Sequence, residues 1–394
     1  MSIVTMYNKH TQLLKLKMDG IVVNEIIEAR NRPFLPIILQ RSLSVDNLNL
    51  WISKRVLNEK RDNYEAVKKE FPHFDNYGAM FSLSDQYWFK KEGSDVTWES
   101  GNFFTNSYTD EVGKMFFSPW EVDPTSSGLP SPDLATNGVL IKAWRREGGV
   151  NYLYKTGSKK NHQQPISEVL ASIMLKKLDF IPFVEYELDI YGLKLCSKCA
   201  NFVDADSEFV PASHIFYLEP LPEGRTIYEH FLLMCSYFKI DGAKDYLDKM
   251  IAADKLIGND DRHFGNFGFI RNVQTCQITG FAPLFDSGSS FYGLNEERKT
   301  AKLFEAESFM AIKEVMKKHD LNAALNHSQM FDLIEKYPEI SWSKKQEMKN
   351  RILQTSRELK EMTLKINKEL QKEKSLRFLA ELEELDSTVV VNNN

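Results

Sequence analysis

Apolar positions along the chain follow two rhythms, one of period two and one of helical spacing. In "LLKLKMDGIVVNEII" two short apolar runs meet at Asp19-Gly20, a dipeptide suited to a tight turn, and predict a hairpin near the start. Residues 40 to 70 have helical spacing. Over 81–106 the aromatics Phe81, Tyr87, Trp88, Phe89, Trp98, Phe103 and Phe104 crowd together. Rings of that size chiefly supply buried area, so a packed aromatic core is expected there rather than a ligand box. The stretch "DPTSSGLPSPDLATNG" (123–138) predicts an irregular connection and a boundary.

Beyond it, "GVLIKAWRREGGVNYLYKTG" predicts two strands around Glu147-Gly148-Gly149. A period of two sends Tyr152 and Tyr154 to one face and Leu153 and Lys155 to the other. "QQPISEVLASIMLKKLDF" changes to helical spacing, with Pro165 in the first turn and Glu168 near the start. "AKDYLDKMIAADKLIG" repeats that spacing and stops at Gly258. Two short strands, "NFGFIR" and "QITGFAPLF", come next, the second delivering "FDSGSS" at 285–290. The remainder is mostly helical. Ile352, Leu359 and Ile366 lie seven apart, but Thr355 and Glu369 break the stripe, which favours packing on the protein's own body over a coiled-coil partner. The "VVVNNN" end is expected to be a frayed tail. The resulting division is 1–122, 123–215, 216–342, 343–386 and a tail at 387–394, with the aromatic core in the first segment.

With 394 residues, 42% of them hydrophobic, the chain can fill two or three packed units. A net charge of -5 gives no overall basic field, so direct nucleic-acid contact and membrane attachment are not expected. Four cysteines are too few to staple this length, and the first residues lack a signal-like pattern; a cytoplasmic, soluble protein is expected. "CSKC" at 196–199 suggests half a zinc site, but without a second pair or spaced histidines its thiols are expected to be reduced and structural.

The segment "GNDDRHFGNFGFI" (258–270) concentrates chemistry. Phosphoryl transfer requires a divalent metal and a cation on the phosphates, and a carboxylate beside the attacking hydroxyl. Asp261 can orient and deprotonate a hydroxyl, Asn266 offers an amide oxygen to Mg²⁺, and Asp286 supplies an anionic ligand. The hairpin between the last two returns the chain so that they can meet at one ion. Gly265 and Gly268 are expected to let the backbone bend tightly, with Phe264 and Phe267 anchoring the loop in the core. Lys155 can hold the α and β phosphates, with Glu168 fixing its position. Thr136-Asn137-Gly138 precedes the first strand and could fold over the phosphates, assisted by Lys142. His263 has two readings, contact with the γ phosphate or a hydrogen bond to the loop backbone. Asp260 is expected in solvent or paired with Arg262. Alone, each signal is weak; Lys155, Glu168, Asp261, Asn266 and Asp286, in that order on suitable elements, carry the reading of an ATP and Mg²⁺ site.

With those residues, "TNGVLIKAW", "NYLYKTG", "SEVLAS", "GNDDRHFGNFG" and "APLFDSGSS", over roughly 130–295, the chain resembles the HipA-like family of bacterial Ser/Thr kinases, toxin components of many toxin–antitoxin pairs. The resemblance implies an α+β, two-lobed protein-kinase-like fold: a small β-rich N-lobe at 123–215 and a mostly helical C-lobe at 216–342. It implies ATP in the cleft, a hinge within "HIFYLEPL" (214–221), Lys155 as nucleotide lysine, Asp261 as base, and Asn266 and Asp286 as Mg²⁺ ligands. It further implies a protein substrate, a helix-turn-helix antitoxin as partner, and self-phosphorylation among Ser126, Ser127, Ser131 and Thr136. Phosphoinositide kinases carry a similar "DRHxxN" and Asp-x-Gly, so a lipid or small-molecule hydroxyl is the alternative substrate. No basic, apolar membrane-facing segment supports the lipid version. A nucleotide-binding pseudokinase scaffold is the rival of another class, and the retained base and metal set argues against it.

Overall fold

The computed structural model describes the chain except residues 62–63, 71–80, 120–121, 123–129, 160, 292–302, 322–325, 339 and 392–394, and the side chains of 70 and 381–391. The hairpin at Asp19-Gly20 is present, with Gly20 at φ 57°. It joins β2 (Thr11–Asp19) to β3 (Val22–Ala29), and with β1 (Ser2–Asn8) and β4 (Tyr87–Lys91) they form an antiparallel sheet in the order β3-β2-β1-β4. The helical spacing of 40–70 resolves into α1 (Ile37–Arg41), α2 (Val45–Ser53) and α3 (Tyr64–Glu70). Ser44 caps α2 by accepting from the Asn47 N–H. Between α2 and α3 the chain leaves helix to place Arg55 on Asp85 and the Leu57 N–H on the Leu134 carbonyl.

The expected aromatic core is found, divided in two by strand alternation. On β4, Trp88 packs with Phe81, Trp98, Phe103 and Trp144, whereas Tyr87 and Phe89 face Met6, Leu16 and Trp51. Next come α4 (Trp98–Gly101) and α5 (Glu111–Phe117), the latter lying under the second sheet through Phe116 and Phe117.

That sheet contains both strands expected around Glu147-Gly148-Gly149. β5 (Lys142–Glu147), β6 (Val150–Thr156), β7 (Glu187–Tyr191) and β8 (Lys194–Ala200) run antiparallel in the order β5-β6-β8-β7. Helix α6 (Gln164–Leu178) packs against it. A third sheet, β11-β10-β9, combines β9 (Ser207–Pro211) with β10 (Gly268–Asn272) and β11 (Ile278–Phe281). A strand from before residue 216 thus pairs with strands from well beyond it, and β9 ties the two halves together.

The N-terminal sheet docks on this third sheet through a buried polar cluster. Arg271 on β10 donates to Glu208 on β9 at 2.7 Å, to Tyr87 on β4 at 3.1 Å and to the Leu35 carbonyl at 3.3 Å. Arg271 and Glu208 are almost entirely buried and pair within the third sheet, and the contacts to Tyr87 and Leu35 tie that pair to the N-terminal unit.

The helical half holds α7 (Ser213–Phe216), α8 (Ile227–Tyr237), α9 (Ala243–Ile257), α10 (Ser308–Met316), α11 (Ser328–Lys336) and α12 (Trp342–Val391) around one core. Gly258, at φ 62°, ends α9 where the sequence places the stop. The first half of α12 buries Met348, Ile352, Leu359 and Ile366 on the body, the packing expected from its stripe. The helix also takes in 387–391, expected as tail, because no Gly or Pro interrupts it. Among the described residues no helix is long and apolar enough to cross a membrane.

Candidate active site

Lys155 on β6 and Glu168 on α6 meet at 2.6 Å. Lys155 pairs across the sheet with Ser197 on β8, whose hydroxyl donates to the other oxygen of Glu168. The ammonium also contacts Asp286, so one cation lies between two carboxylates. Burial lowers the Lys155 ammonium, but Asp286 and Glu168 outweigh it and raise the group above its ordinary value. Burial pushes the Asp286 carboxyl up, yet Lys155, with Lys142 and Arg262 behind it, brings it down to about 2. Asp286 is therefore a carboxylate.

Asp286 does not sit at the end of a strand, as its sequence position suggested. β11 ends at Phe281, and an extended segment continues, anchored where Leu284 bridges to Phe183 and its N–H donates to Pro182. Past Phe285, which packs on Phe202 and Phe209, the backbone turns left-handed at Asp286 itself (φ 57°). Its N–H donates to the Tyr186 hydroxyl at 3.3 Å.

The loop 259–266 is tied together by Arg262. Its guanidinium makes a two-pronged contact with Asp254 on α9, at 2.9 and 2.8 Å. The remaining nitrogen donates to the Asn266 carbonyl at 2.6 Å and the Phe285 carbonyl at 2.7 Å. Asn266 and the residue before Asp286 thus share one donor, which draws the two backbone segments together. The partner of Arg262 is Asp254, not Asp260; an acid eight residues back on the preceding helix was the signal available in the sequence.

The Asn266 carboxamide nitrogen donates to the Asp261 carbonyl at 3.3 Å, leaving the amide oxygen as its acceptor end. Asp261 is exposed on the loop, and His263 accepts from the Gly265 N–H at 3.0 Å, so of its two readings the loop-backbone one is seen. Phe264 and Phe267 anchor the loop as expected, Phe264 stacking on Phe216 at 4.0 Å. The glycines act differently from expectation. Neither Gly265 nor Gly268 has a positive φ; Gly268 is needed because a Cβ there would lie 2.1 Å from the Val210 carbonyl oxygen on β9. The segment expected to contain a hinge includes α7, and it is stitched to the loop where the Ala212 and Ser213 N–H groups donate to the Phe267 and Phe264 carbonyls.

Gly138, at φ 102°, lies against Lys142: a Cβ would meet the ammonium at 2.5 Å. Lys142 is the cross-strand neighbour of Lys155. Burial, then Arg61 and Lys155, push its ammonium down to about 7 against the pull of Asp286 and Glu168. Of the candidate modified residues, Ser126 and Ser127 lie outside the described residues. Ser131 is buried with its hydroxyl donating to Asp133, and the Thr136 hydroxyl donates to the Pro132 carbonyl. The "CSKC" thiols sit on β8 three residues apart, hence on opposite faces, and cannot chelate one ion. Among the described residues no group of three His, Cys, Asp or Glu side chains is placed to hold a metal.

No family model matches the sequence. HipA, solved with HipB and operator DNA from the Shewanella oneidensis MR-1 toxin–antitoxin system, superposes over 90% of this chain and 96% of its own at a TM-score of 0.52 and 12% identity. The chain has the fold of HipA. The expected α+β class, with β-rich and helical halves, is what that fold provides. The sequence is also 53% identical to the serine/threonine-protein kinase CtkA of Helicobacter pylori over 45 residues, 11% of this chain and 13% of that relative, so the match spans only a small part of CtkA. The crystal structure of an H. pylori CtkA covers 54% of this chain and 89% of its own at a TM-score of 0.43 and 18% identity.

Proposed function

We propose that this chain is an ATP- and Mg²⁺-dependent Ser/Thr protein kinase of the HipA-like type. The observation that carries this reading is the Lys155 ammonium held between Glu168 and Asp286, beside a loop that Arg262 fastens to the Asp286 segment. A divalent ion suits the donors present. Asp286 is anionic and already faces a cation, and the Asn266 amide oxygen adds a second hard ligand. When bound, Mg²⁺ would supply charge neutralisation between the phosphates. Glu168, itself held by the Ser197 hydroxyl, positions the Lys155 ammonium, which can serve the α and β phosphates. Asp261, exposed at the rim, accepts the proton of the substrate hydroxyl, and His263 and Asn266 hold its loop in shape.

The short match to a Ser/Thr kinase favours a protein hydroxyl as acceptor. The HipB-bound relative suggests a helix-turn-helix antitoxin as a partner, which co-purification with the product of an adjacent reading frame would test. The principal experiment incubates the purified chain with labelled ATP, Mg²⁺ and a lysate, beside Asp261→Asn and Asp286→Asn. The wild-type chain is expected to label a Ser or Thr and the variants to lose at least a hundredfold, the scale for removing a base or charge-stabilising group. Equal labelling by all three overturns the assignment.

A further inference from the structure

The turn expected over the phosphates is held from two sides: in its own lobe the Trp144 indole N–H donates to the Thr136 hydroxyl at 3.1 Å, and the N-terminal unit grips it as well. Three residues of the N-terminal unit contribute, all from a short stretch after α2. The Leu57 N–H donates to the Leu134 carbonyl at 2.9 Å, Asn58 donates to the Asn137 side chain at 3.3 Å, and Arg61 takes two carbonyls at once. Its Nε donates to Gly138 O at 3.1 Å and its Nη2 to Thr136 O at 2.5 Å.

Arg61 is 2% exposed, yet among the described residues no carboxylate forms an ion pair with it, and its Nη1 is buried without a hydrogen-bond partner. The buried Asp133 favours its charge, while Arg61 and the Lys142 ammonium disfavour one another. A guanidinium is costly to bury in such surroundings, and a purely structural role would be served by a neutral donor. A cation held there beside Lys142 and Lys155 makes the neighbourhood attractive to an anion.

Peptide geometry turns that clamp into a donor array. In a trans peptide the carbonyl and the following N–H point in opposite directions, and among the described residues no bond is cis. With the carbonyls of Thr136 and Gly138 both drawn to Arg61, the N–H groups of Asn137 and Val139 point away from it. The Gly138 N–H between them donates to the Asn137 side-chain carbonyl at 2.6 Å, so the two flanking N–H groups are the ones left to face an anion, and Lys142 lies against the same turn.

We propose that Arg61 is a positioning residue for nucleotide phosphates: by gripping Thr136 O and Gly138 O it presents the Asn137 and Val139 N–H groups to the triphosphate, which makes the N-terminal unit part of the nucleotide site. This rests on the nucleotide reading above.

The test is calorimetric titration of the full chain with Mg-ATP and, separately, with adenosine. It uses the wild type, Arg61→Met, Arg61→Lys, which keeps the charge but loses the fork, and Asn58→Ala as a milder variant should the Arg61 variants not fold. The expected result is an ATP affinity at least tenfold weaker in both Arg61 variants, and about threefold weaker in Asn58→Ala, with adenosine affinity unchanged. A general loss of structure would weaken both ligands together. Wild-type binding of ATP with no weakening in any folded variant, or equal weakening of both ligands, overturns the role of Arg61 alone. A wild-type chain that binds neither ligand overturns the nucleotide reading and this proposal with it.

Discussion

Arg262 and Asp254 form a buried, two-pronged ion pair, and the third nitrogen of the same guanidinium joins two backbone carbonyls 19 residues apart in sequence, Asn266 and Phe285. One side chain therefore sets both the loop that carries Asp261 and the segment that carries Asp286. Asp254→Ala would leave a buried guanidinium without a counter-charge, a change that typically costs about 3 kcal/mol or more. The expected outcome is a lower urea midpoint and loss of kinase activity even at temperatures where the variant stays folded. Retained activity at normal stability would show that the clamp does not set the site.

Lys155 separates stability from chemistry. In Lys155→Met the Glu168 carboxylate, whose side chain is 1% exposed, loses its cation, while Asp286 at 36% can turn to water. The loss should be about 3 kcal/mol and fall mainly on Glu168. Adding Glu168→Gln removes the stranded charge, so the double variant should recover most of the stability and none of the activity. Chemical denaturation and labelled-ATP assays on the three variants check both halves. If the double variant is no more stable than Lys155→Met, Glu168 is not where the cost lies.

Much of the site was legible because it is local. Asp261 and Asn266 share one loop, the hairpin back to Asp286 is short, and the thirteen-residue step from Lys155 to Glu168 is a strand, a loop and a helix turn. What escaped depends on distant contacts. Arg61 reaches Gly138 across 77 residues, and Gln86 reaches Ser207 across 121; no periodicity encodes either. Asp260 was a natural partner for Arg262 by adjacency, but the helix end at Gly258 turns the chain so that Asp254 lies beneath the guanidinium. Alternation also concealed that one aromatic run serves two cores, since a strand shows the same sequence to both.

Gly268 and Gly280 make a matched pair of tests for the sheet under the loop. An Ala at 268 would press its Cβ to 2.1 Å from backbone oxygen of Val210, which cannot move without parting β9 from β10. Overpacking against side chains costs roughly 1–3 kcal/mol, and a rigid backbone neighbour should cost more. Gly280 on β11 has nothing within 4 Å of the same atom, and its alanine should change stability by no more than about 0.5 kcal/mol. Thermal melts of the two variants should therefore differ clearly, and similar melts would contradict the close approach of the two strands.

Lys142 gives the chain without nucleotide a pH dependence of known sign. Burial, with Arg61 and Lys155 adding to it, lowers its ammonium from the ordinary 10.5 to about 7. Between those values the unfolded chain holds more protons at this position than the folded one, so stability rises with pH across the window. The penalty is absent above about 10.5, grows as pH falls, and is complete below about 7. Lys142→Met removes the titrating group and should be more stable than the wild type at pH 7, with the gap narrowing at pH 9.5, where the pH nears the ordinary lysine value and removing the proton on folding costs less. Bound triphosphate reverses the balance: its negative charge favours the ammonium, so Mg-ATP binding near pH 8 should take up a proton, visible as a buffer-dependent binding enthalpy that Lys142→Met abolishes. A stability gap that widens from pH 7 to 9.5 would contradict the depressed ammonium and the crowding of Arg61, Lys142 and Lys155 that produces it.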